Sequence, residues 1–406
     1  MSRDYGRYHL SMNPFPQTAT IDIYSSDPRI NGSVFCKEVF DEEISELEGM
    51  LRRRTNLIYV LGYEWEKGTG KSALLVDAYK NFREIPNSLN LYLKCSRQAP
   101  LDNPDGFCIG VVKELHLQNI LWRTLQALLT EYVSEAQPLF PKKAAIDTIF
   151  EAYPEPPIRL PLVAYTHVRD PQTLASAAAD WLHKTEGLDK AICERWLRTY
   201  LSEPREWSSL LDKIPRRDAI KNYSFFTSLL MLTGIDHTLI FLDQFEDALM
   251  KVPDPKVGEF CLGMRNMLEA SRGHATIVVS LHPEGDTKLT VSGGDYLTQL
   301  APIDMNHMVS VMTLKEKQEL VVPLALAYLE RMRISQPPYL THPFTPEALR
   351  MLCEAEGGNI RQLLQRLHHC VEYGLEKGID EYTPQAVAND TRGILGRQID
   401  IKANPQ

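Results

Sequence analysis

The feature that most constrains this chain is a short apolar run, Asn56-Leu-Ile-Tyr-Val-Leu-Gly62, followed closely by Trp65-Glu-Lys-Gly-Thr-Gly-Lys-Ser72. An amphipathic stretch with Leu75, Ala78, Tyr79 and Phe82 on one side comes next. The spacing predicts a buried strand, a tight glycine-rich turn, and a helix that ends before Pro86. Glycines at 68 and 70 let the backbone approach a ligand closely and take conformations that side chains resist. Successive backbone N–H groups at the start of a helix then converge on an anion. Lys67, Gly68, Thr69, Gly70, Lys71, Ser72 and Ala73 are therefore expected to cradle a phosphate chain. The Lys71 ammonium is placed on the β- and γ-phosphates and the Ser72 hydroxyl on Mg2+. Trp65 stands where such a loop usually opens with glycine, so the loop entry is expected to differ in shape.

Further strands are predicted at Leu89–Cys95, Thr238–Leu242 and Thr276–Leu281, with a weaker one at Met308–Met312. Helical spacing covers Val39–Arg54, where Ile44, Leu47 and Leu51 recur, and also Thr173–Thr185 and Lys190–Leu201. Everything after Leu314 reads as helical, and no internal repeat is visible. Strands alternating with helices imply a parallel sheet covered on both faces. The first ~33 residues, with Pro14, Pro16, Pro28 and Gly32, read as an extended arm leading into a helix. Between Gln98 and Gly234 there is little strand character, and the turn-rich stretch Tyr153–Pro161 interrupts its helices.

At 406 residues the chain has room for two or three domains and a large core. A hydrophobic share of 44% and a charged share of 24% exclude wholesale disorder. No apolar run reaches the ~18 residues of a membrane span. The N-terminus lacks an apolar signal core, so a cytoplasmic protein is expected. The net charge of −9 runs against the basic footprint usual for non-specific nucleic-acid binding. Seven scattered cysteines without a C-x-x-C read as reduced thiols. His368-His369-Cys370 is the densest set of metal-capable side chains, but adjacent helical positions point in different directions.

Leu239-Ile-Phe-Leu-Asp243 delivers a carboxylate at the end of an apolar strand, where it is expected to hold Mg2+ together with Ser72. The chain continues Gln244-Phe245-Glu246-Asp247. Gln244 can orient water but cannot accept its proton; Glu246 can serve as the base if the turn brings it inward. Two readings stay open: slow hydrolysis through Glu246, or a site that retains ATP as a switch. Ser280 and His282, at the end of the 276–281 strand, are candidates to orient water beside the γ-phosphate. Arg361, in Glu356-Gly-Gly-Asn-Ile-Arg361, is a candidate to reach the γ-phosphate and couple helix position to nucleotide state.

In this order the pieces resemble the AAA+ superfamily. The stretch Phe344–Arg361 is similar to the lids of replication-initiator ATPases, and Asn13-Pro-Phe15 to the start of transposition-helper and secretion-associated ATPases. Asp243-Gln-Phe-Glu246 is similar to the corresponding motif of STAND-type signalling NTPases. The resemblance omits roughly residues 100–230. It implies a P-loop NTPase fold, a three-layer α/β/α parallel sheet with a helical insertion at about 98–235 and a C-terminal helical lid. The implied division is an arm and helix over 1–55, an ATPase core over 56–304, a lid over 305–398 and a tail over 399–406.

ATP and Mg2+ are the implied cofactors. The implied activity is ATP hydrolysis that moves the lid or subunits against a macromolecule. A homo-oligomer or a partner protein is the implied partner, and DNA is a further candidate. The sequence also departs from the pattern of the superfamily it resembles. Many of these ATPases place a glutamate directly after the strand aspartate, where this chain has Gln244. No arginine lies between Arg272 and Arg331, where oligomeric members commonly carry an arginine finger, which leaves Arg265 and Arg272 as candidates. With only a short tail after the lid, neither a winged-helix DNA-binding domain nor a STAND effector is expected. Partner specificity is expected in the insertion instead.

Overall fold

The computed structural model describes residues 4–62, 67–95, 101–115, 171–202, 210, 213–232, 234–292 and 295–395. Trp65, the stretch 153–161, the tail 399–406 and much of the expected insertion lie outside them. Five strands form one sheet: β1 (Leu57–Gly62), β2 (Ser88–Lys94), β3 (His237–Asp243), β4 (Ala275–Leu281) and β5 (Met308–Val311). Their order is β2-β3-β4-β1-β5 and every pairing is parallel. Parallel neighbours need crossover connections, which helices supply here.

Those helices are α1 (Asp41–Arg52), α2 (Lys71–Asn81), α3 (Pro104–Glu114), α4 (Pro171–Glu186), α5 (Lys190–Ser202) and α6 (Ala219–Leu232). They continue with α7 (Phe245–Leu249), α8 (Val257–Ala270), α9 (Pro283–Ser292) and α10 (Asp295–Thr298). Beyond β5 come α11 (Val321–Arg331), α12 (Pro346–Ala355), α13 (Ile360–Lys377), α14 (Pro384–Asn389) and α15 (Thr391–Leu395). The molecule is thus an α/β protein. The expected helix over 39–54 resolves into a 3₁₀ turn at Lys37–Phe40 followed by α1.

Strand alternation sends side chains to two separate cores. Leu57, Tyr59 and Leu61 of β1 join Ile240 and Leu242 of β3 in a core shared with α3, α5, α6 and α8. Ile58 and Val60 join Leu239 and Phe241 in the opposite core, with α1, α2 and the C-terminal helices. The same parity places Tyr92, Asp243 and Ser280 on the α2 face.

Two segments differ from the expectation. The arm is stitched down rather than merely leading in: Tyr8 and Phe15 are fully buried in the α2-face core. The Asn13 amide donates to the His368 carbonyl at 3.0 Å and to Glu372 Oε1 at 2.7 Å. Arg29 donates to the Asn13 carbonyl at 2.8 Å, and Lys94 Nζ to the Ile21 carbonyl at 3.0 Å. Residues 332–345, expected as helix, include turns and two isolated bridges, Leu10↔Arg333 and Phe344↔Tyr382. Pro337, Pro338 and Pro343 lack the N–H that a helix there would require.

Candidate functional site

β1 lies between β4 and β5, while the chain leaving it crosses to β2 at the far edge, so connections diverge beside β1. A crevice opens at the carboxyl ends of strands at such a point. Here it is a cleft of about 440 Å³. Its polar lining includes Lys67, Lys71, Ser72, Glu246, Ser280, His282 and Arg361. Its apolar lining includes Pro16, Ala19, Ile21 and Ile30 of the arm, which also contributes Arg29, with Tyr328 of α11 and Leu364 of α13.

The loop from Lys67 to Gly70 delivers the chain into α2. Gly68 and Gly70 have φ of +84° and +108°, a region closed to most side chains. A Cβ on Gly70 would overlap the Phe40 ring, and one on Gly68 would overlap Asn359 and crowd the Arg361 Cβ at 2.9 Å. Gly68→Ala is accordingly expected to cost about 1–2 kcal/mol and to displace α13 from the loop. A melting temperature within about 1 °C of the parent would show that the loop has room to spare.

Asp243 is 1% exposed and does not itself line the cleft. Its Oδ1 accepts from Ser72 Oγ at 2.8 Å, Ser280 Oγ at 3.0 Å and the Gln244 N–H at 3.0 Å. Its Oδ2 accepts from the Tyr92 hydroxyl at 2.8 Å. The strand register explains the convergence. Leu242 aligned with Val279 sets Asp243 beside Ser280, and Tyr92 aligned with Phe241 puts the phenol on the same face. Burial, with the Asp243 carboxylate beside it, pushes the Tyr92 phenol far up, so it stays a donor. Because Ser72 spends its proton on Asp243, its lone pairs are left for a cation.

Gln244 follows in the left-handed region at φ +58°, its N–H also donating to Ser280 Oγ at 2.7 Å. That bend starts α7 and turns Glu246 onto the cleft wall. Burial raises the Glu246 carboxyl to about 7, although Lys71 opposes the shift. Burial lowers the Lys71 ammonium, and Glu246 pulls it back. Burial also lowers His282, aided by Lys67 and against Glu284, whose N–H donates to His282 Nδ1 at 3.4 Å. Among the described residues, eight buried side-chain polar atoms lack a partner; Glu246 Oε2 and Arg361 Nε belong to residues that line the cleft, and Thr69 Oγ1 lies within the loop, outside the lining. Buried polar groups are normally paired, so the two unpaired atoms of the lining are available to a polar partner.

The remaining sequence candidates lie elsewhere. Arg265 pairs with Glu269 on α8 at 2.7 Å, and Arg272 donates to the Glu186 carbonyl at 2.6 Å. Arg272 precedes β4 and therefore sits by the amino end of that strand, away from the carboxyl ends where the cleft opens. His368 Nδ1 contacts the Phe15 carbonyl and His369 Nε2 the Gly393 carbonyl, each at 2.8 Å, and Cys370 is buried. Tyr92, Asn359 and the arm residues 16–30 were not anticipated. Strand parity puts Tyr92 on the α2 face but does not pair it with Asp243, and the helix-capping position is the signal that could have found Asn359.

No family model and no curated protein matches the chain. Among solved structures it is similar to Drosophila ORC bound to DNA, with 12% identity and a TM-score of 0.37. The match covers 95% of this chain, which spans 64% of that one. The five-stranded parallel sheet with its helices is consistent with a P-loop NTPase fold. No helix among the described residues is long and apolar enough to cross a membrane.

Proposed function

We propose that this chain is a P-loop ATPase of the AAA+ kind, which binds ATP with Mg2+ and turns nucleotide state into movement of its C-terminal helices. Its principal support is the meeting of Ser72 and Asp243, 171 positions apart, in a 2.8 Å hydrogen bond at the start of α2, beside the glycine loop. The residues fit the ligand. Lys67, Lys71 and Arg361 supply positive charge to the cleft lining, Gly68 and Gly70 take the positive φ the loop needs, and Arg361 Nε lacks a partner. Ser72, oriented by Asp243, would hold Mg2+, which when bound neutralises phosphate charge and polarises the terminal phosphoryl group.

Lys71 and the amides of the loop hold the phosphate chain, and the apolar side chains of the arm with Tyr328 and Leu364 take the base. Glu246 accepts the proton of the attacking water at Oε2, while Gln244 and Ser280 orient that water. Arg361, at the start of α13, senses the terminal phosphate. Arg361→Ala is expected to leave ATP bound but to erase nucleotide-dependent changes in amide exchange over residues 315–395. Identical exchange differences in parent and variant would exclude that coupling.

The replacement of the usual glutamate by Gln244 favours a second reading, in which turnover is slow and ATP-bound protein assembles as a scaffold. Steady-state phosphate release measured beside ATP-dependent sedimentation separates the two: turnover without assembly supports the remodelling ATPase, and assembly without turnover the scaffold. The partner acted on is a second copy of the chain or another protein. DNA takes that place if binding requires ATP and weakens steeply with salt.

A further inference from the structure

We propose that Asn359 is a positioning residue that sets the shape of the phosphate loop by tethering it to α13. This rests on the nucleotide-binding role of the loop proposed above. The Asn359 side chain works in two directions. Its Oδ1 accepts from the Gln362 N–H at 3.1 Å and so caps α13, while its Nδ2 donates to the Lys67 carbonyl. Beside it, the Arg361 N–H donates to the Gly68 carbonyl at 3.1 Å. Two consecutive loop carbonyls are thereby held by the first turn of one helix.

A trans peptide is planar, with its C=O and N–H on opposite sides. Fixing the Lys67 and Gly68 carbonyls on α13 therefore turns the Gly68 and Thr69 N–H groups away from that helix, toward the side the loop encloses. The close fit is specific to glycine: a Cβ on Gly68 would overlap the Asn359 amide itself. α13 is fixed in turn from behind, because the Gly358 carbonyl accepts from the Leu314 N–H at 3.0 Å and a Cβ on Gly358 would overlap the Lys315 backbone. Loop, helix start and the segment after β5 form one connected unit. A loop held in its binding shape before the ligand arrives loses less freedom on binding.

Asn359→Ser separates the tether from the cap. Serine caps a helix about as well as asparagine, but it is too short to reach the Lys67 carbonyl. Asn359→Asp keeps the capping oxygen and the size, has no donor, and sets a carboxylate against a carbonyl. Both variants are expected to melt within about 2 °C of the parent. ATP–Mg2+ affinity is expected to fall about ten-fold in Asn359→Ser and further in Asn359→Asp.

Amide exchange in the nucleotide-free protein gives a second readout. The Arg361 N–H lies in the first turn of α13, where no intrahelical acceptor exists, so its protection reports the Gly68 contact directly. Its exchange is expected to quicken about ten-fold in Asn359→Ser. ATP affinity within about two-fold of the parent, or unchanged Arg361 exchange, would overturn the proposal. If the parent bound no nucleotide at all, the functional reading would fail. Arg361 exchange would still decide the tether: faster exchange in Asn359→Ser upholds it, and unchanged exchange rejects it.

Discussion

Replacing Lys71 by alanine is expected to weaken ATP–Mg2+ binding by about 100-fold or more, the loss of a charge-assisted contact of roughly 3 kcal/mol. Lys71 opens α2 at the floor of the cleft, with the Glu246 carboxylate as the largest opposing influence on its burial-lowered ammonium. The substitution removes a side chain at a helix start without opening the hydrophobic cores, so the fold should survive with little change in melting temperature. Retained affinity in a folded Lys71→Ala protein would mean that the triphosphate does not sit on this loop.

Glu246→Gln is expected to lower phosphate release by about 100-fold or more while ATP affinity changes only a few-fold, because a general base typically contributes that much. The carboxyl is raised to about 7 by burial, with Asp243 and Asp247 adding to it and Lys71 opposing. A base must be deprotonated to act, so kcat/KM, which reports the free protein, should rise as pH passes upward through about 7 and then level. That limb should vanish in the glutamine variant. Equal turnover in the two proteins, or a profile flat across that range, would assign the proton to another group.

The local part of the site was legible because its signals are contiguous. β1, the glycine loop and α2 occupy one unbroken stretch, and Asp243 and Ser280 stand near the ends of short β-branched apolar runs that read as buried strands. The turn at Gln244 that brings Glu246 onto the cleft wall was a condition in the sequence and is present in the fold, held by two hydrogen bonds that the Gln244 N–H donates to Asp243 and Ser280. The non-local part was not legible. Tyr92 reaches Asp243 because β2 pairs with β3 in one particular register across about 150 intervening residues, which no short-range pattern encodes.

The arm misled in another way. Its prolines and glycine describe backbone shape accurately, but the burial of Tyr8 and Phe15 depends on a pocket built by helices more than 300 positions later. The helical reading after Leu314 held where amphipathic spacing was strong, as in α13. It failed over 332–345, where closely spaced prolines override composition.

Titration calorimetry of ATP into the protein with Mg2+ present tests the central claim most directly. Saturable binding of one nucleotide per chain, weakened when Mg2+ is chelated and lost in Lys71→Ala, is the predicted result. A folded, Mg2+-supplied protein that gives no heat with any purine triphosphate would contradict it.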